Sequence, residues 1–179
     1  MDLLGSVDGL LVAIDCLLSE DSSNGAIGWG IKMSYDIYIG EAQLEEDIEE
    51  LFARFVVNSH SEKDAPDFSS DGDDMTGNSN NRHPGYSQWA DFLNRNGLYE
   101  VFLGENGLME EHPGIQRLTE EHLKMFKEAL KKREKSDKRP AGLDEAGETK
   151  DYDKVRLLWL VWWTEWALKH CKHPCISNS

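Results

Sequence analysis

The chain of 179 residues lacks the usual markers of several protein classes. Its three cysteines are too few, and odd in number, for a disulfide scaffold, which favours a reducing compartment. It has no Gly-x-Ser-x-Gly elbow, no His-Glu-x-x-His zinc motif and no phosphate-binding loop that ends in Gly-Lys-Ser/Thr. No cofactor is therefore predicted, and the sequence leaves open whether the protein is an enzyme.

Targeting and membrane signals are also missing. The amino-terminal segment has no basic stretch before its apolar residues, and Asp8 and Asp15 interrupt the run, so neither a signal peptide nor a membrane anchor is expected. The most apolar segment, at 157–163, is much shorter than the roughly 20 residues of a membrane span. The sequence therefore predicts a cytoplasmic protein that does not bind membranes.

Basic residues are scarce in the first half of the chain. The net charge is −15, and residues 33–81 carry thirteen acids against two bases, whereas residues 82–179 carry sixteen of each. Such a field repels nucleic acid and anionic membranes, and it favours basic partners or cations. A plainer alternative is a set of solvated acidic loops that keep the protein soluble. The basic stretch at 124–139 is expected to balance the acidic half within the molecule.

The densest group of acids is the first candidate site. Glu45, Glu46, Glu49 and Glu50 lie in one short segment and are predicted to bind a basic protein partner. Charge asymmetry is the strongest signal in this sequence that packing does not explain. It favours a small acidic non-enzymatic interaction protein, of the inhibitor or immunity type, that does not bind nucleic acid directly. The partner's identity and the oligomeric state do not follow from the sequence.

What the sequence does contain is tryptophan, and four of the six lie between residues 159 and 166. The surrounding segment, 151–172, is predicted to be one helix whose apolar residues cover most of its circumference, which is typical of a helix at the centre of a protein. Its buried stripe is expected to comprise Val155, Leu158, Trp159, Trp162 and Trp166. Further core residues are expected at Trp89, Phe92, Leu98, Phe102, Leu123, Phe126 and Leu130.

Length and composition fit a single domain. We expect an α+β fold in which a small antiparallel sheet from the N-terminal half packs on a C-terminal helical layer, with the Trp-rich helix at its centre. Residues 33–179 are predicted to form this domain, with a long polar, acidic loop at 59–84. Residues 1–32 are either an N-terminal extension or the first element of the fold.

Periodicity and turn residues locate the remaining elements. In chain order, they are a strand at 33–39 that ends at Gly40, a short acidic helix or loop, a strand at 52–58, a helix at 86–96, a short extended piece at 98–103, a helix at 119–135 and a charged linker at 136–149. Thr119 is a good N-cap for the second of these helices. A capping box is not expected there, because position 122 is His rather than Glu or Gln.

A second candidate site involves the acidic loop and two His-Pro-Gly sequences. The loop has the clustered acids of a calcium site, but it lacks the Gly and Glu that an EF-hand requires at its sixth and twelfth positions. Tight turns explain both His-Pro-Gly sequences by themselves. If the side chains converge, they form a metal site or a base with its orienting carboxylate, and the alternative function is a metal-dependent enzyme. The residues of this site would be Asp73, Asp74, His83 and His112.

The C-terminal sequence His170-Cys171-Lys172-His173-Pro174-Cys175 also contains zinc-type ligands. Four ligands within six residues can hardly surround one tetrahedral ion, so other ligands would have to come from elsewhere. We therefore favour an ordinary helix end, whose basic residues face the negative end of the helix dipole.

Overall fold

The structure, a computed structural model, describes residues 34–47, 52–68, 77–141 and 151–179, and of 45–47 and 52–54 it describes the backbone alone. Its strands are β1 (Ile37–Asp47), β2 (Phe52–Val57), β3 (Asn81–Arg82), β4 (Gly114–Arg117) and β5 (Pro174–Asn178). Its helices are α1 (Tyr86–Asn96), α2 (Tyr99–Leu103), α3 (Glu120–Ser136) and α4 (Tyr152–His170). The α+β class that the sequence predicts is confirmed.

All strand pairs of the sheet are antiparallel. β5 lies between β1 and β4, and β2 pairs with the other edge of β1, so the strand order is β2-β1-β5-β4. β3 adds a short pairing to the start of β1. The first strand, β1, thus pairs with the last strand, β5, and Ile39 lies directly opposite Ile176.

Alternation along the strands gives the sheet an inner and an outer face. On the inner face, Ile37, Ile39 and Ile176 are completely buried, and α4 packs against β1 and β5. On the outer face, Ala42 and Leu44 of β1 are accessible to solvent. The inner face therefore belongs to the hydrophobic core, which α4 shares.

The buried side of α4 differs from the predicted stripe. Trp159 and Trp163 are completely buried, whereas Trp162 and Trp166 are only partly buried. Steps of three and four residues from Trp159 reach both Trp162 and Trp163, so spacing alone does not decide between them. The position of the sheet decides, and it places Trp163 and Ala167 against the core.

Two buried aspartates at the start of α4 bind arginines from two other helices. Asp153 accepts two hydrogen bonds from Arg95 of α1, each 2.9 Å long. Asp151, the N-cap, accepts two from Arg133 of α3 at 2.7 and 2.9 Å. Burial by itself would raise the pKa of Asp153, but Arg95 and Asn96 outweigh it and hold this pKa below its usual range. The network ties α1, α3 and α4 together.

The basic stretch at 124–139 takes part in this network. Arg133 pairs with Asp151, and Lys127 lies 3.3 Å from Glu165 of α4. Both acids belong to the second half of the chain, so these described pairs do not balance the acidic first half as predicted. Glu165 is exposed, and it pairs with Lys127 because α3 packs beside α4.

The end of the long polar loop is anchored to α4. Arg82 of β3 is completely buried, with its guanidinium carbon 5.5 Å from the centre of the Trp159 ring. The indole Nε1 of Trp159 donates a 3.0 Å hydrogen bond to the carbonyl of Ser79. Burial and, to a lesser extent, the neighbouring Arg156 lower the pKa of Arg82 to about 9. This part of the loop is therefore a packed element of the core.

Three predicted details of secondary structure are wrong. β1 continues past Gly40 to Asp47, because residues 42–47 pair with β2 where an acidic helix or loop was expected to begin. The segment at 98–103 was predicted to be extended, but Tyr99–Leu103 form the helix α2. β4 and β5 were not predicted at all.

A further correction of local structure concerns the start of α3. The Thr119 backbone N–H donates to His122 Nδ1 at 3.2 Å, and the His122 backbone N–H donates to Thr119 Oγ1 at 3.4 Å. These two reciprocal bonds complete the capping box that the sequence appeared to exclude. A neutral imidazole nitrogen is an acceptor, so His can take the place of Glu or Gln there.

Other predictions are confirmed. α1 has the predicted bounds, α3 begins and ends within a residue of its prediction, and all the expected core neighbours are buried or packed against the core. The described residues do not include 1–33, which contain Cys16. They also do not include 142–150, which contain most of the predicted linker. Within the described ranges, no helix combines the length and the hydropathy that crossing a bilayer requires.

Candidate functional site

The two most exposed large apolar side chains of the described residues lie side by side on the outer face. Leu44 of β1 and Phe55 of β2 are directly opposite each other in the strand register, and they are 56% and 61% exposed. Such a cross-strand pair normally has a hydrophobic face to pack against. Contiguous exposed apolar surface of this kind marks sites of interaction.

Phe55 also borders a trough in the outer face. Phe55 belongs to β2 and Ile115 to β4, the two edge strands of the sheet. Both side chains line one cavity of about 460 Å³, so the sheet curls toward its outer face. Ala42 and Cys175 of the central strands form its floor. A second cavity of about 360 Å³ shares Phe55 and Ile115 and extends toward Tyr38. We call these five residues the outer-face trough.

Two of the four acids predicted to bind a partner belong to the strand that carries Leu44. Glu45 and Glu46 follow Leu44 directly and continue β1 in its pairing with β2. Glu49 and Glu50 lie outside the described residues. The strand therefore carries two of the four predicted acids beside the exposed apolar pair.

The rim of the trough carries charges of both signs. Arg117 and His173 line the larger cavity, and both carboxylate oxygens of Glu41 accept the His173 backbone N–H at 3.0 Å. Burial and then Glu41 raise the pKa of Cys175. This thiol stays neutral at physiological pH and contributes an uncharged floor.

His83, a predicted metal ligand, contacts a carboxylate outside the acidic loop. Its Nδ1 lies 2.6 Å from Asp36 Oδ1, and its Nε2 lies 2.8 Å from Asn81 Nδ2. Because an amide nitrogen only donates, Nε2 accepts and Nδ1 carries the proton that Asp36 accepts. The predicted base with an orienting carboxylate therefore has a geometric counterpart, in which Asp36 stands where Asp73 or Asp74 was expected.

His112 packs against aromatic rings. Its imidazole meets Tyr35 and Tyr86 edge-on at 5.1 and 5.7 Å, and these two tyrosines stack at 3.9 Å. Tyr35 is buried, whereas the next residue, Asp36, is partly exposed and holds His83. The two predicted histidines thus contact successive residues of one segment, and successive side chains of extended backbone point to opposite sides.

The remaining ligands of the predicted metal site, Asp73 and Asp74, lie outside the described residues. In the part of the chain that the structure describes, no three His, Cys, Asp or Glu side chains are grouped so that they could hold a metal ion. The C-terminal motif is divided, since Cys171 follows α4 and Cys175 lies in β5. Burial and then Glu41 raise the pKa of Cys171 to about 11, so this thiol is neutral at physiological pH.

The sequence does not point to the apolar part of the site. Leu44 and Phe55 have the spacing of one helix face, so periodicity assigns them to a core as readily as to a strand. Apolar residues alternate along β1 at Ala42 and Leu44, and along β2 opposite them. This alternation could have found the pair, because it predicts strands that are apolar on the outer face of the sheet as well as on the inner face.

Comparison of the chain with protein-family models, with curated proteins and with solved structures gives no significant match.

Proposed function

We propose that the protein is a small acidic interaction protein, of the inhibitor or immunity type, that binds a basic protein partner through the outer face of its sheet. One observation carries the proposal: the Leu44–Phe55 pair is exposed next to an apolar trough, and Glu45 and Glu46 follow Leu44 along the same strand. A desolvated apolar centre with a charged rim is the usual composition of a protein interface.

Charge and shape together describe the partner. The net charge of −15 attracts basic proteins and accelerates their association at low ionic strength. Cavities of about 460 and 360 Å³ admit one or two large apolar side chains, which are the typical anchors of an interface. The partner is therefore a basic protein that presents an apolar anchor next to lysine or arginine.

The experiment is a low-salt pull-down with matched variants. Wild type is compared with Leu44→Asn/Phe55→Asn, with Glu45→Lys/Glu46→Lys and with a control, Tyr99→Asn/Tyr152→Asn. The control removes two other exposed aromatic side chains that do not border the trough. We expect wild type and control to retain a basic protein that both outer-face variants lose, and added salt should weaken its retention.

The proposal is rejected if no basic protein is retained, or if both outer-face variants retain it as wild type does. Sedimentation of the purified protein tests whether a second copy of this chain, and not a partner protein, covers the trough. If wild type is a dimer and Leu44→Asn/Phe55→Asn is a monomer, a second copy covers the trough and the partner proposed above is wrong.

One contact favours the alternative function, a metal-dependent enzyme. A carboxylate that holds a histidine ring, as Asp36 holds His83, also orients histidines in metal sites. His83 would be the ligand oriented in this way; of the other ligands that the sequence predicts, His112 packs against Tyr35 and Tyr86 instead, and Asp73 and Asp74 lie outside the described residues. Elemental analysis of protein purified without chelators tests this function. Stoichiometric metal that is lost in His83→Gln/His112→Gln supports it, and absence of metal from wild type rejects it.

A further inference from the structure

A second surface, on α4, combines aromatic rings with carboxylates. Trp162 and Trp166 lie one turn apart on the helix and are both partly buried. They line a cavity of about 300 Å³ together with Glu62 and Asp64, which lie in the segment after β2, and with Glu165 of the same helix. The cavity is thus bounded by two indoles and three acids. It shares no residue with the outer-face trough.

The two indoles both contact Trp163 but differ in their other ring contacts. The Trp166 ring has His60 at 4.7 Å and a nearly parallel His170 at 5.2 Å, so contacts with two imidazoles fix its position. Trp162 meets Trp163 edge-on at 4.7 Å, and it has no other ring contact within the described residues. Trp162 is partly exposed and contributes ring surface to the lining of the cavity.

The carboxylates have spare capacity to accept hydrogen bonds. Asp64 is exposed and, in the described part of the chain, makes no ion pair or hydrogen bond through its side chain. Glu62 lies 3.5 Å from His60, and Glu165 makes a solvent-exposed pair with Lys127, a type of contact that contributes little stability. Among the described residues, the basic side chains that line the cavity are Lys169 and His170.

We propose that this cavity binds the guanidinium group of an arginine side chain. The face of an indole attracts a cation, and arginine is the side chain most often found there. Carboxylate oxygens also require hydrogen-bond donors, of which guanidinium has five in one plane and a quaternary ammonium has none. Lysine is more strongly hydrated and does not stack, so it fits this site less well. Assigning the arginine to the basic partner rests on the proposed function, but the site itself does not.

The test uses a small probe and needs no partner. The full chain, labelled with ¹⁵N, is titrated with N-acetyl-arginine amide and separately with N-acetyl-citrulline amide, a neutral molecule of nearly the same shape. We expect the indole N–H signals of Trp162 and Trp166 to shift saturably with the arginine probe alone. The signals of the buried Trp89, Trp159 and Trp163 should stay in place.

Variants test the contribution of charge without touching the core. Asp64→Asn should weaken binding of the arginine probe about fivefold, which is the factor that corresponds to one charged contact at an exposed site. Lys169→Gln should strengthen binding, and Asp91→Asn, which removes an exposed acid from α1 outside the cavity, should leave it unchanged. Trp162→Leu should abolish the shift of Trp166.

Several results would overturn the inference. Equal shifts with arginine and citrulline would show that charge is not recognised, and no saturable shift with either probe would show that the cavity is not a site. Unchanged affinity in both Asp64→Asn and Lys169→Gln would place the binding elsewhere. None of these results bears on the pull-down, so failure of this site is distinguishable from failure of the outer-face interface.

Discussion

The two faces of the sheet are made by the same strands, yet their apolar residues serve different purposes. Ile37 and Ile39 on the inner face of β1 are completely buried beside α4, whereas Leu44 on the outer face of the same strand is 56% exposed. Strands that are apolar on both faces are typical of sheets covered on both sides. Among the described elements, α4 covers the inner face and none covers the outer face. We therefore assign the outer residues to binding and the inner ones to stability.

The largest effect should come from the inner side. Trp163→Ala removes a completely buried indole from the core and should lower the free energy of unfolding by about 3–5 kcal/mol. Trp162→Ala, one position away but partly exposed, should cost only about 1–2 kcal/mol and leave the protein folded. Urea denaturation monitored by circular dichroism measures both values. Equal losses in the two variants would contradict the assignment of the buried side of α4.

The next effect tests how the helical cover is held in place. Asp153→Asn leaves Arg95 without its buried carboxylate and should cost about 3 kcal/mol, the low end for such pairs because Arg95 is half exposed. The folded-state pKa of Asp153 is lowered, so its contribution is complete above the ordinary carboxyl pKa of about 3.9 and is lost as the pH falls through the lowered value.

Denaturation at about pH 7 and about pH 3 measures this contribution. The difference between wild type and Asp153→Asn should be smaller at the acid value, because the unfolded wild-type chain then binds a proton at Asp153 that folding must release. Asp91→Asn, an exposed change on α1, is the control and should show little loss at either pH. A difference that grows in acid would show that Asp153 is not ionised in the folded protein.

A smaller effect comes from the cap of α3, which packs behind α4. Burial lowers the pKa of His122, although Glu121 opposes the shift, and the neutral ring accepts the Thr119 N–H. Its contribution is complete above the unfolded pKa of about 6.5 and is lost as the pH falls through the lower folded value. His122→Gln keeps the capping box but cannot titrate, so the loss between about pH 8 and about pH 5, at most about 1 kcal/mol, should disappear. Identical pH profiles for wild type and variant would refute this role.

The smallest effect on stability should come from the outer face. Leu44→Asn/Phe55→Asn should change the free energy of unfolding by no more than about 0.5 kcal/mol, because both side chains are more than half exposed. The same variant should lose the partner. If it instead unfolds the protein, the outer residues support the fold and the contrast between the two faces does not hold.

The helices were the predictable part of the fold. α1 and α3 combine helical spacing of apolar residues with local end signals, such as Gly97 after α1 and Thr119 before α3. Both kinds of signal lie within the helix itself, so the sequence contains them. The buried side of α4 could not be predicted in the same way, because tryptophans occupy adjacent positions and only the sheet selects between them.

The sheet and the site depend on contacts that are distant in sequence. β5 has five residues and begins with a proline, so nothing local marks it as a central strand. The acids Glu45 and Glu46 were visible in the sequence as charge. The exposure of Phe55 was not, since it depends on whether another element covers the outer face, and the same limit applies to the cavity between α4 and the segment after β2.

The central place of β5 also has a kinetic consequence. Its neighbour β1 lies far away in the chain, as the contact between His173 and Glu41, 132 residues apart, illustrates. β1 and β4 both pair with β5, so the sheet cannot close until the helices between them have brought this strand back. Loop closure over such a distance slows folding, and it makes the completed sheet open as one unit. We therefore expect the amides of β1 and β5 to exchange with solvent only when the whole domain unfolds.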